Sequence, residues 1–427
     1  MHAASNKPQA AYIFVLITVF LDVFAFGLII PVLPHLIKGF FNGDQGQATV
    51  MSAWLSTMYW MLQFFTSPLL GALGDRYGRR PVLLLSNLAI GLDFIVMALA
   101  NSFLLLFIGR AINGIAAANF STASAYIADV TPPEKRAQTY GMMGAAFGIG
   151  FIVGPALGGF LAHVDPKLPF WCAAGLALAN FMYGYFVLPE SLKPENRAPI
   201  SMARLNPFSA MRWLYQKPQL FGLVAVVFLS SFAHVVYPST FVLFADYRYS
   251  WSELDVGLAL ATVGLLAAII QGGVMKHAVK RFGEKKLVLF GLSAGIVGFT
   301  AYGAAPTGAY FIAAIPIMAF WGLAGPSAQS LMSQQIGATE QGRMQGAVSS
   351  MNSLANIFGP LAFAHMFEAF VKAKGGSAAP AGIELPGAAF FLAAFALLLA
   401  LAVAFAVLRK PAFSKPVNPS AEAEPLS

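Results

Sequence analysis

Apolar runs of about 20 residues or more follow one another along almost the whole chain, separated by short polar breaks that carry Gly and Pro. A helix rising about 1.5 Å per residue needs a run of that length to cross a hydrocarbon core about 30 Å thick. Within that core each backbone N–H and C=O must be paired inside the segment, so the runs predict an all-α membrane protein. Of 427 residues 58% are hydrophobic and 10% charged, a balance that a water-solvated fold does not carry. Twelve transmembrane helices are predicted at 10–37, 46–72, 81–100, 103–130, 136–163, 168–188, 217–247, 251–279, 286–304, 307–335, 341–372 and 385–409. Pro31, Pro34, Pro155, Pro238 and Pro360 fall within them and predict kinks.

The first run is long, contains Asp22 and reaches Pro31 and Pro34 without a small-residue cleavage site, so it reads as a retained span rather than a signal peptide. Cys172, the one cysteine, excludes an intramolecular disulfide and any cysteine metal cluster. With the N-terminus in the cytoplasm, twenty of the 26 Lys and Arg residues lie on the cytoplasmic side, among them Arg76, Arg79, Arg80, Lys280, Arg281, Lys285, Lys286 and Arg409. Lys38, Lys167, Arg248, Lys372 and Lys374 fall outside. Both termini are therefore expected in the cytoplasm, and the net charge of +8 reflects this asymmetry and not a nucleic-acid partner.

The Pro-rich, charged segment 189–216 interrupts the chain near its middle and reads as a cytoplasmic linker between six-helix halves at 1–188 and 217–409, with a disordered tail at 410–427. The halves echo each other at one offset: Gly154-Pro155 and Gly359-Pro360 are 205 residues apart, as are Gly141 and Gly346, and Gly78 and Gly283. Repetition at corresponding places argues for two pseudo-repeats with substrate bound between them.

Three stretches carry candidate chemistry. After the second span, GALGDRYGRRPVLL offers Gly71, Gly74 and Gly78 for tight turning, with Asp75, Arg76, Arg79 and Arg80 as either a charged latch or a solvated positive loop. In span 4, Arg110 stands within an apolar helix and must meet an acid or carbonyls in the bundle interior, or snorkel to the interface. In span 5, Gly141, Gly150, Gly154-Pro155 and Gly158-Gly159 allow close helix contact.

Asp22 lies about 15 Å deep, near mid-membrane, where it serves either proton exchange or a structural pairing with Arg110. Asp93 is treated alike. His234, near the middle of span 7, titrates or packs; Gln63, Asn113, Asn119 and Gln329 line a cavity or join helices. No nucleophile motif, metal-ligand cluster or phosphate loop is present, so neither an enzyme nor a cofactor is expected.

These stretches, with LDVFAFGLIIPVLP, FVLFADYRYSW and GEKKLVLFG, resemble the major facilitator superfamily, and within it the drug/proton antiporters of the tetracycline-resistance exporter type. The resemblance implies a proton-coupled exporter of drug-like molecules in a bacterial inner membrane, working as a monomer on the proton gradient. Export of an endogenous metabolite or siderophore, or nutrient symport, is the alternative. Carried over by position, it assigns Asp75 and Arg79 to a conformational latch and Arg110 to a proton-linked network. Asp22 and Asp93 match the intramembrane acids, Asp129 an acid at the cytoplasmic end of span 4, and Gly141–Gly159 the antiporter pattern. The chain departs from it with Ala267 and Gly295 where tetracycline exporters carry a histidine and an acid, and with Lys280 where the first half has Asp75.

Overall fold

The computed structural model describes residues 7–116, 119–131, 133–192, 194–197, 217–336, 341–372 and 379–409, with positions 206, 208, 211, 214 and 215 of the linker. The expected tail and most of the linker lie outside the described residues. Grouped by their turns, the helices form twelve spans in two sets of six. Among the described residues eight stretches are long and apolar enough to cross a membrane by hydropathy. Two shorter apolar helices, Phe103–Ala116 and Gly148–Val164, belong to the spans at 103–130 and 133–164, and the remaining two spans lie at 45–77 and 341–370. Spans 2, 5 and 11 pack across the two halves, span 2 on span 11 and span 5 on span 8.

Local chemistry sets the boundaries. Span 1 is not one helix but two, Lys7–Ile29 and Leu33–Phe40, because Pro31 supplies no N–H for a continuous ladder. Span 2 runs Gln45–Tyr77, starting at Asp44, whose carboxylate accepts the Gln47 N–H, and ending at Gly78 with φ +112°. The predicted loop at 71–78 is thus the last two turns of a helix plus one glycine, and the helix Arg79–Leu99 starts at once. Gly283, at φ +77°, does the same between spans 8 and 9. Pro238 sits in a widened π turn, Tyr237–Phe241, that divides span 7 into Pro218–His234 and Val242–Tyr249. Pro155 and Pro360 lie inside unbroken helices, Pro133–Val164 and Gln341–Phe370.

Packing repeats with the sequence offset. Gly154 meets the backbone of Gly27 in span 1, and Gly359 meets Val235 in span 7. The antiporter-like glycines therefore do what close spacing predicts: Gly150 faces Phe20 and Phe24, Gly158 faces Leu28, and Gly159 faces the Glu253 backbone in span 8. Gly141 has helical backbone, its surroundings lying outside the description. Gly71 corrects the expectation of tight approach, since a side chain there would meet nothing within 4 Å.

Candidate functional site

Burying a guanidinium in a membrane interior costs several kcal/mol unless it is paired, and Arg110 is 6% exposed. Its partner is Asp93, whose side chain is fully buried, with Arg110 Nε 3.5 Å from Asp93 Oδ2. Asn113, one turn beyond Arg110, donates to the same oxygen at 2.7 Å. Arg110 Nη2 reaches Met97 Sδ at 3.2 Å, and the guanidinium stands 5.9 Å from the centre of the Tyr59 ring. Among the described residues Asp93 Oδ1 has no hydrogen-bond partner, an open acceptor in a buried site. The arrangement rules out snorkelling for Arg110 and makes Asn113 a helix-joining residue.

Asp22 is half-buried, and its charge, with those of Arg110 and Asp93, is felt at Tyr59. Tyr59, passed over in the sequence, stands electrostatically between the two candidate acids. Gln63, one turn along span 2, is half-buried; Asn119 lies in a helix, its side chain outside the description. Gln329 donates to Gln345 Oε1 at 2.8 Å, joining spans 10 and 11. His234 is exposed although mid-span, with the Tyr237 and Trp321 rings each 5.8 Å away. Trp321 donates to Ser230 at 3.1 Å and packs on Phe299. Gly295 is buried with Trp321 and Leu397 in the space an acid would need. The second half thus presents an aromatic wall where the exporter pattern would set a carboxylate.

At the basic end of the bundle the Gly78 turn collects charges. Arg79 pairs with Asp75 at 2.6 Å and with Asp129 at 3.4 Å, and Ser191 donates to Asp129 at 2.9 Å. Glu190, another residue the sequence reading missed, accepts the backbone N–H groups of Arg79 at 2.8 Å and Arg80 at 3.3 Å, capping span 3 from the far end of span 6. Arg80 donates to the Tyr185 carbonyl at 2.6 Å. Arg76 lies exposed over the neighbouring Tyr77 ring. At the 205-residue offset the charge is reversed, Glu284 replacing Arg79 and accepting from Ser330 at 3.1 Å and Gln334 at 3.2 Å.

The halves meet at the opposite end. Lys38 and Gln45 of the first half reach Asp246 of the second at 2.5 Å and 2.7 Å, His35 lies between Asp246 and Glu253, and Thr57 donates to the Ile357 carbonyl at 2.8 Å. These contacts tie the first half to the second.

The family profile of the Major Facilitator Superfamily matches residues 15–360 and 223–427. The chain belongs to the Major Facilitator Superfamily. It is 36% identical over 381 residues to the class C tetracycline resistance protein of Escherichia coli, covering 89% of this chain and 95% of that one. It is 28% identical over 364 residues to multidrug resistance protein 2 of Bacillus subtilis (strain 168), covering 84% and 89%. Among solved structures, a bacterial homologue of the human lysosomal transporter Spinster, inward-facing and unoccupied, superposes with a TM-score of 0.75 at 17% identity, over 97% of this chain and 99% of that one. This superfamily member is a multi-pass membrane transporter of small molecules.

Proposed function

We propose that this transporter is a proton-coupled antiporter that exports drugs or drug-like small molecules by alternating access. The observation that carries the reading is the buried Asp93–Arg110–Asn113 cluster, in which an acid with an open acceptor oxygen faces a fixed cation. In a dry site that pair has two states: Asp93 charged and paired, or protonated and released. Asp22 offers a second, more accessible carboxylate to a proton or a cationic substrate. The kinship to tetracycline and multidrug resistance proteins supports efflux over nutrient symport or metabolite export.

The excess of basic residues near the Gly78 and Gly283 turns supports a reading in which these turns and both termini lie in the cytoplasm of a bacterial inner-membrane protein. The seam at the other end then closes the periplasmic mouth, so the conformation faces inward. The ion pairs of Asp75, Arg79 and Asp129 act as the cytoplasmic latch, made or broken as the halves rock. Charge recognition falls to the first half and ring stacking to His234, Tyr237 and Trp321 in the second, which suits a flat aromatic cation. The proton gradient supplies the work, with no cofactor, and one chain suffices. The test is internal pH in proteoliposomes on addition of tetracycline, other aromatic cations and candidate metabolites. Proton flux opposite to substrate flux supports antiport; flux in the same direction would overturn it for symport.

A further inference from the structure

The polar seam between the halves holds a histidine that the transport cluster does not use. His35 stands on the short helix Leu33–Phe40 after the Pro31 break, half-buried. Its Nδ1 is 3.0 Å from the Pro31 carbonyl oxygen and 3.7 Å from Glu253 Oε1, and its Nε2 is 3.5 Å from Asp246 Oδ2. Both ring nitrogens therefore face oxygens. A neutral imidazole carries one N–H, so one of these acceptors would meet a lone pair; only the doubly protonated ring donates to both sides. Charge balance points the same way, because among the described residues Lys38 is paired with Asp246 and His35 is the cation that faces Glu253.

The remaining groups around His35 have partners of their own. From span 2, Asp44 caps its own helix and Gln45 donates to Asp246. From the end of span 7, Tyr247 donates to Glu384 at 2.8 Å, beside Arg248. At the start of span 8, Asp255 closes a capping box with Ser252. On span 11, His365 and Glu368 pair within one helix, which cannot tie the halves. In the periplasmic loops the Lys372–Glu384 pair stays charged: the hydrogen bond from Lys372 holds the Glu384 carboxyl below its usual range, and the same bond pushes the Lys372 ammonium up. Neither changes charge between pH 8 and pH 5.5, where an imidazole does.

We infer that His35 is a proton-binding site whose occupancy from the periplasm fastens the two halves and closes the outer mouth. The inference rests on the orientation given under the proposed function. The proton is not carried across; it returns to the same side when the mouth opens. Its effect is to favour, after substrate release, the return to the inward-facing state when the outer medium is acid, the condition in which the gradient is steepest.

The test is a spin-label distance across the periplasmic mouth, between Lys167→Cys and Ile383→Cys in a Cys172→Ala background, with the full-length protein in nanodiscs. Between pH 8 and pH 5.5 the ratio of closed to open populations is expected to rise about tenfold, the scale of a hydrogen bond to a charged group. His35→Gln should abolish that rise and His365→Gln should keep it. His35→Arg, which carries a fixed charge to the same carboxylates, should hold the pH 8 population at the closed value. A wild-type ratio that does not move, or a His35→Gln chain that still responds, would overturn the inference. So would a His35→Arg chain that opens at pH 8. The distance is read without substrate or gradient, so a pH-responsive mouth in a protein that moves no protons refutes antiport alone. Antiport with a pH-blind mouth refutes the His35 site alone.

Discussion

Removing one partner of the Asp93–Arg110 pair should give two unequal losses, depending on which partner goes. Asp93→Asn leaves a guanidinium that cannot lose its proton in a fully buried site, and an uncompensated buried charge costs about 3–5 kcal/mol. The Tyr59 face at 5.9 Å and Met97 Sδ at 3.2 Å remain to Arg110, and a desolvated cation–π contact offsets about 1–2 kcal/mol, which places the loss near 3 kcal/mol. Arg110→Gln instead orphans an acid that can take a proton and become neutral while keeping Asn113, at a cost of about 1–2 kcal/mol. The double variant removes both charges and should return to about 2 kcal/mol, a coupling energy of about 2–3 kcal/mol. Unfolding midpoints in detergent for the four proteins measure this cycle, and proton flux in proteoliposomes should be absent in all three variants. Additive losses, or an Arg110→Gln loss larger than that of Asp93→Asn, would refute a buried, mutually dependent pair.

Three further outcomes are expected. Gly154→Ala puts a methyl 2.8 Å from Gly27 Cα, so it should cost about 1–3 kcal/mol and stop transport, whereas Gly148→Ala, with nothing within 4 Å, should leave both unchanged; thermal shift and efflux read the contrast. Gly295→Asp, which would restore the exporter-pattern acid, should lower stability and gain no tetracycline transport, because Trp321 and Leu397 occupy the space; transport assays with that variant check it. Glu190→Ala should cost about 1 kcal/mol through the lost cap of span 3 and leave substrate affinity unchanged, as measured by unfolding midpoint and equilibrium binding.

The spans were legible because lipid penalises every exception to a long apolar run, and the 205-residue echo exposed the duplication. Arg110 and Asp93 were legible singly for the same reason, since a charge in such a run needs a purpose. Their partnership was not, because they sit 17 residues apart on different helices and their meeting depends on how spans 3 and 4 rotate. Tyr59 carries no anomaly at all, being an aromatic residue among many in an apolar helix. The seam of His35, Lys38, Asp246 and Glu253 was hidden differently: charges at span ends are the commonest feature of a membrane protein, and these stand more than 200 residues apart in the chain. The Gly71–Tyr77 stretch was read as a loop from its polarity, but Gly71 and Gly74 stay helical and the positive φ that ends the helix is taken at Gly78. Glu190 looked like an ordinary residue of a charged linker, and nothing local shows that its carboxylate caps another helix.

The contact between spans 5 and 8 has a mechanical consequence. Gly159 lies on the Glu253 backbone and Gly257 under the Pro155 carbonyl, so main chain lies on main chain at both, while the Ile152 side chain fits against Gly264. A surface of this kind works as a plain bearing: it holds the two halves at a fixed separation while offering little resistance to rotation. Under the alternating access proposed above, the barrier to each swing then falls on the polar fasteners at the ends of the bundle, and turnover is set at its rims more than along its axle.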